Sequence, residues 1–207
     1  MSRPRRSTGS WRDRQERDPY VQQARRDGWR SRAVYKLEQI DQKERLLKPD
    51  MVIVDLGSAP GSWSQYVTQK LKGRARIVAV DLLEMDALPD VEFIQGDFQE
   101  DAIFEQILDA VGADGADLVM SDMAPNITGT RVVDQPRSMY LVELALDLAR
   151  RVLKRNGSFV CKLFQGEGFD QFVVDARRSF GKVRVMKPKA SRAGSREVYL
   201  VARNYQL

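Results

Sequence analysis

Compact apolar runs punctuate the chain. MVIVDL (51–56), ARIVAVDL (75–82), VEFIQGD (91–97), ADLVMSDMAP (116–125) and SFVCKLF (158–164) are rich in apolar, often β-branched residues. That is the pattern of strands covered on both faces. Between most of these runs, apolar residues recur every three or four positions, as on a helix with one buried face. Val34, Leu37, Ile40 and Leu47 fall near one face of SRAVYKLEQIDQKERLL (31–47). SWSQYVTQKL (62–71) predicts a helix capped by Ser62, and QEDAIFEQILDAV (99–111) and FDQFVVDARRSF (169–180) predict two more. PRSMYLVELALDLARRVLKRNG (136–157) predicts a long helix with Pro136 near its start and Gly157 just past its end. KVRVMKP and REVYLVAR predict two closing strands joined by the basic loop KASRAGS. Strands alternating with helices in this way predict an α/β fold with a mostly parallel sheet.

Such a fold binds ligands beyond the carboxyl ends of its strands, at the point where strand order reverses. The residues after each strand are therefore the candidates for chemistry. After the first strand, DLGSAPGSWSQ places Gly57 and Gly61 in a turn that admits close backbone approach, with Trp63 beside it. It is neither GxGxxG nor a phosphate loop, so a nucleoside or amino acid fits it better than a pyrophosphate. Asp81 ends the second strand, where these folds hold ribose hydroxyls. Asp97 follows the third, beside Phe98. The three sites together describe an adenosine pocket that suits S-adenosylmethionine better than NAD.

Asp122 leads the loop after the fourth strand. The fifth strand carries an anomaly: Lys162 lies inside an apolar run, where an ammonium group is costly unless compensated. Glu197 begins the last strand and Lys36 lies on the helix before the first. Two lysines and two carboxylates from four elements can thus meet in one cleft. Cys161 points away from Lys162 by strand alternation and reads as core packing, while Tyr140 and Trp63 read as packing and not as catalytic residues.

Charge and composition narrow the field. Of 207 residues, 43% are apolar and 30% charged, enough for one sizeable core. We expect a flexible basic arm over residues 1–20 and a single domain over 21–207. There is no histidine, which removes the commonest base and metal ligand and leaves no expected metal site. One cysteine, no secretory signal pattern and no membrane-length apolar run predict a cytoplasmic protein with no membrane association. The net charge of +5 is uneven: residues 1–32 hold ten arginines against four acids, while residues 33–207 hold 24 basic and 25 acidic residues. A second basic cluster runs from Arg177 to Arg203. Basic clusters on a neutral core suggest a polyanionic partner, most simply nucleic acid.

DLGSAPGSWSQ, SDMAPNITG, GSFVCKLFQG and SRAGSREVYLVAR together resemble the FtsJ-type ribosomal RNA 2′-O-ribose methyltransferases, in order and spacing, over nearly all the chain beyond the arm. The resemblance implies a Rossmann-like class I methyltransferase fold, with a seven-stranded sheet and an antiparallel last strand. It also implies S-adenosylmethionine as methyl donor and a Lys-Asp-Lys-Glu catalytic set on Lys36, Asp122, Lys162 and Glu197. Its bacterial members methylate a uridine ribose in large-subunit (23S) ribosomal RNA. This suggests cofactor contacts at Gly57, Gly61, Trp63, Asp81, Asp97 and Asp122. Lys162 would act as general base, its amine neutral when the proton moves. Arg30, Arg32, Lys187, Lys189, Arg192 and Arg196 flank Lys36 or Glu197 in sequence and are placed to grip the RNA backbone. We expect a monomer acting on the assembled large subunit. Three alternatives stay open: an NAD oxidoreductase, a methyltransferase of transfer RNA or messenger RNA caps, and a non-catalytic ribosome assembly factor.

Overall fold

A computed structural model describes residues 17–125 and 128–206. The arm expected over residues 1–20 lies largely outside them. Helix α1, Pro19–Arg26, already takes in the arm's last two residues: Asp18 caps it, accepting from the Tyr20 backbone, and Pro19 opens it. There follow α2 (Val34–Glu44), β1 (Met51–Leu56), α3 (Ser62–Leu71), β2 (Ala75–Asp81), β3 (Val91–Gln95), α4 (Asp101–Val111) and β4 (Ala116–Ser121). The chain continues through α5 (Arg131–Val152), β5 (Leu153–Phe164), α6 (Phe169–Ser179), β6 (Phe180–Met186) and β7 (Glu197–Tyr205).

The seven strands form one sheet in the order β3-β2-β1-β4-β5-β7-β6. The first five are parallel, and β7 runs antiparallel to both of its neighbours. Side-chain alternation divides the interior in two. Val54, Leu56, Phe159, Cys161 and Leu163 face the helices α4, α5 and α6. Ile53, Val160, Tyr199 and Val201 face α1, α2 and α3. Lys162 falls on the second face, two residues from Val160. Among the described residues, no helix is long and apolar enough to cross a membrane.

Two local expectations need correction. Ser62 does not cap α3: Gly61, at φ 100°, is the cap residue, and the Ser62 hydroxyl pairs with that of Ser31 at 2.6 Å. The long helix begins five residues before Pro136 and passes at Val152 directly into β5. Gly157 therefore lies within the irregular start of β5, where Asn156 takes a left-handed turn (φ 65°). A Cβ at Gly157 would sit 2.9 Å from the Lys154 carbonyl oxygen, so close packing, not a helix stop, explains the glycine.

A candidate active site at the carboxyl edge of the sheet

The switch point falls between β1 and β4, where chain order reverses across the sheet. The loops after these strands meet closely. Gly57, at φ 69°, lies under Met123, and a Cβ on it would come within 2.3 Å of the Met123 side chain. This contact seats Asp122 beside the glycine loop, as the strand order requires.

Lys162 resolves the anomaly of its strand. It is 8% exposed, and its Nζ donates to the Asp122 backbone carbonyl at 2.6 Å and lies 3.2 Å from Asp122 Oδ1. One residue thus supplies the ammonium with both a dipole and a charge, which compensates for its burial. Tyr199, the cross-strand partner of Lys162, donates its hydroxyl to the same Oδ1 at 2.5 Å. Lys36 reaches both oxygens of Glu197, at 2.9 and 3.0 Å, and its ammonium stands 5.8 Å from the centre of the Tyr199 ring. Ser191, from the loop before β7, donates to Glu197 Oε1 at 2.7 Å. The four expected residues therefore form two ion pairs on either side of one buried tyrosine.

These contacts set the proton affinities. Burial works to raise the Asp122 carboxyl, but the Lys162 and Lys36 ammonium groups, with hydrogen bonds from Tyr199 and Lys162, outweigh it and hold the carboxyl below its ordinary value. Burial, then the Asp122 and Glu197 carboxylates, lift the Tyr199 phenol well above its ordinary value, so it remains a donor. Burial raises the Cys161 thiol, which faces the opposite core. Asp55, at the end of β1, is 1% exposed and takes a hydrogen bond from the Ser64 hydroxyl at 2.7 Å. Its carboxyl is pushed up to about 7, by burial first, with Asp122 and Asp81 adding to the rise against the Ser64 hydrogen bond.

The other expected residues are placed as follows. Asp81 accepts from the Ala59 backbone at 2.9 Å on one oxygen and from the Leu83 backbone at 2.8 Å on the other. Each oxygen keeps a second lone pair for a ligand hydroxyl. Asp97 is half-buried and its carboxylate holds Gln99. Trp63 is buried, its indole donating to the Ala33 carbonyl at 2.9 Å and packing on Tyr199. Tyr140 is 54% exposed and donates to Gln99.

The basic residues divide. Arg32 is drawn inward to Asp18 and the Ala190 carbonyl. Lys187 binds the carbonyls of Ala193 and Ser195, and Arg196 that of Gln165. Arg30 binds three backbone carbonyls. Lys189 and Arg192 stand exposed on the β6–β7 loop, Arg192 within 3.4 Å of Asp18. A cavity of about 590 Å³ lies at the opposite edge of the sheet, between Gly112–Gly115 and Arg151–Arg155, away from this chemistry.

Sequence reasoning passed over Tyr199 and Asp55. Both had a signal: Tyr199 shares a strand face with Glu197 two residues away, and Asp55 interrupts an apolar run just as Lys162 does.

A model of the FtsJ-like methyltransferases matches residues 29–205. A protein of Pseudomonas fluorescens (strain Pf0-1), named ribosomal RNA large subunit methyltransferase E, is 55% identical over 206 residues, 100% of this chain and 98% of that one. A protein of the same name from Pseudomonas paraeruginosa is 59% identical over 189 residues, 91% of each chain. A crystal structure from Plasmodium falciparum, described as a ribosomal RNA methyltransferase, matches at a TM-score of 0.74 and 30% identity, over 86% of this chain and 98% of that one. Human methyltransferase-like protein 13 in complex with SAH, at 17% identity and a TM-score of 0.58 over 83% of this chain and 80% of that one, shares the fold.

Proposed function

The chain belongs to the FtsJ-like methyltransferase family, and on that premise we propose that Lys162 accepts the proton when a ribose 2′-hydroxyl is methylated in this cleft. The protein is an S-adenosylmethionine-dependent RNA 2′-O-methyltransferase of 23S ribosomal RNA.

The pocket suits the donor. The glycine loop lies beside Asp122 through the Gly57–Met123 contact, and the Asp81 oxygens retain lone pairs for the two ribose hydroxyls of an adenosine. Gly57, Gly61, Asp81, Asp97 and Asp122 would hold it, with Trp63, packed on Tyr199, following the loop. S-adenosylmethionine supplies a sulfonium methyl group that is already electrophilic. What remains for the protein is alignment of the attacking oxygen and removal of its proton.

The observation that carries the assignment is the setting of the Lys162 amine. Asp122 occupies two of its three tetrahedral directions, through its carbonyl oxygen and Oδ1. Once the resting ammonium has released one proton to solvent, the third is a lone pair. Tyr199 is held as a donor, Asp122 is held as a weak base, and Lys36 is committed to Glu197. The proton therefore passes from the 2′-hydroxyl to Lys162 Nζ and then to solvent. Lys36 and Glu197 position the ribose, with Ser191 steadying Glu197.

Lys189 and Arg192 are the basic side chains best placed to meet RNA phosphates, while Arg32, Lys187 and Arg196 hold the loop that presents them. We further propose that the target is a uridine in the assembled large subunit, and that the enzyme works in the cytoplasm as a monomer without a metal.

The test is transfer of labelled methyl from S-adenosylmethionine to ribosomal RNA and to purified large subunits, with wild type and Lys162→Ala compared. Label on a ribose with wild type and none with the variant is expected. Equal labelling by both would remove Lys162 from its role.

A further inference from the structure

We propose that Arg30 is a positioning residue for the methyl-donor pocket and not an RNA contact: its guanidinium fastens together the two loops that hold the cofactor. This rests on the reading above that the Gly57–Gly61 loop and Asp81 form that pocket.

The guanidinium binds three carbonyl oxygens. One of its terminal nitrogens donates to Pro60 at 2.9 Å and Asp86 at 2.8 Å, and the other donates to Ala87 at 2.9 Å. Pro60 lies in the β1–α3 loop; Asp86 and Ala87 lie in the connection from β2 to β3. These are the loops that Asp81 also joins, through the Ala59 and Leu83 amides. The pocket is therefore clamped twice, by an anion on one side and a cation on the other. The fit is tight: a Cβ on Gly61 would lie 2.7 Å from the Arg30 guanidinium and 2.8 Å from Met85 sulfur. A planar fork with five donors can span three carbonyls in fixed directions, which a lysine ammonium cannot match in reach or geometry.

Arg30 is itself held in register. Its amide donates to Gln65 at 3.0 Å, and the Gln65 side chain returns a bond to the Gly28 carbonyl at 3.0 Å. The Ser31–Ser62 and Trp63–Ala33 hydrogen bonds continue the seam. Residues 28–33 thus lie along the first turns of α3 and lead directly into α2, which carries Lys36. One short segment fixes the donor loop relative to the helix that meets the acceptor.

The experiment compares wild type, Arg30→Ala, Arg30→Lys, Arg192→Gln and Asp81→Ala. S-adenosylmethionine affinity is measured by calorimetry and ribosomal RNA affinity by filter binding. KM is measured for each substrate, and Tm without cofactor. Losing charge-assisted bonds that hold the pocket should raise the S-adenosylmethionine Kd of Arg30→Ala by about 10- to 100-fold, with RNA affinity changed by less than about threefold. Arg30→Lys should recover part of the loss, and it carries the test if Arg30→Ala does not fold. A rise in RNA Kd like that of Arg192→Gln, with cofactor affinity unchanged, would overturn the proposal. So would a lowered Tm with unchanged cofactor affinity. If Asp81→Ala weakens the cofactor and Arg30→Ala does not, only the role of Arg30 fails. If neither does, the pocket itself is misplaced and both readings fall.

Discussion

Replacing Lys162 by methionine keeps the bulk of the side chain and removes its charge. In the wild type the ammonium makes a 2.6 Å hydrogen bond and a 3.2 Å ion pair with Asp122, at side-chain exposures of 9% and 19%. The variant leaves the carboxylate with the Tyr199 hydroxyl at 2.5 Å and Lys36 as its remaining nearby cation. Breaking one side of a buried pair costs about 3–5 kcal/mol, and the residual access of Asp122 to water points to the lower end. On the role proposed for Lys162, loss of the general base removes a further factor of roughly 10²–10⁴ in rate. The folded-state carboxyl of Asp122 lies below its ordinary value, so its contribution to stability is complete above that ordinary value, near 3.9, and fades as pH falls through the depressed one. The gap in unfolding free energy between wild type and Lys162→Met should therefore be full at pH 7 and shrink below about pH 4. Denaturant titrations across pH, beside single-turnover methyl transfer at saturating substrates, read both effects. The double variant Lys162→Met/Asp122→Asn should be more stable than Lys162→Met alone, because no unpaired charge remains. A single-variant rate within tenfold of wild type, or a stability gap that ignores pH, would refute the pairing described here.

Tyr199→Phe deletes a hydrogen bond to a carboxylate and should lower the single-turnover rate about tenfold, with a stability loss of about 1.5–3 kcal/mol; NMR titration should show the Asp122 carboxyl moving up. Asp55 has a folded-state carboxyl raised to about 7, so its stabilising contribution is present below the ordinary carboxyl value and lost as pH rises towards 7. Wild-type stability relative to Asp55→Asn should accordingly fall by on the order of a few kcal/mol between pH 4 and 8, as read by thermal or denaturant unfolding. Lys189→Gln/Arg192→Gln should weaken RNA binding and flatten its salt dependence by roughly one phosphate contact per residue, leaving S-adenosylmethionine affinity unchanged.

The strand-and-helix pattern was legible because each strand of the parallel core is covered on both faces, which leaves long apolar runs. The convergence of Asp122, Lys162 and Glu197 was legible for a related reason, since ionisable residues in or beside such runs stand out, whereas Lys36, on helix α2, was picked out by the family resemblance. Helix boundaries were harder. Gly157 reads as a stop signal, yet it is required by packing against the Lys154 carbonyl. The arginines were hardest of all, because the protein groups a basic side chain meets depend on loops whose course the sequence does not display. Arg30 bonds to loop carbonyls, Arg32 to Asp18 and the Ala190 carbonyl, and Arg192 lies within 3.4 Å of Asp18, and nothing in their spacing announces these partners.

The last strand in chain order, β7, is also an interior one, lying between β5 and β6. It brings both Glu197, paired with a lysine 161 positions earlier, and Tyr199, bonded to an aspartate 77 positions earlier. Both ion pairs of the site thus depend on this one strand for a partner. Without β7 in its slot, Lys36 lacks the Glu197 carboxylate and Asp122 the Tyr199 hydroxyl. Any cut that removes this strand takes an interior strand out of the sheet together with the Glu197 partner of Lys36 and the Tyr199 partner of Asp122.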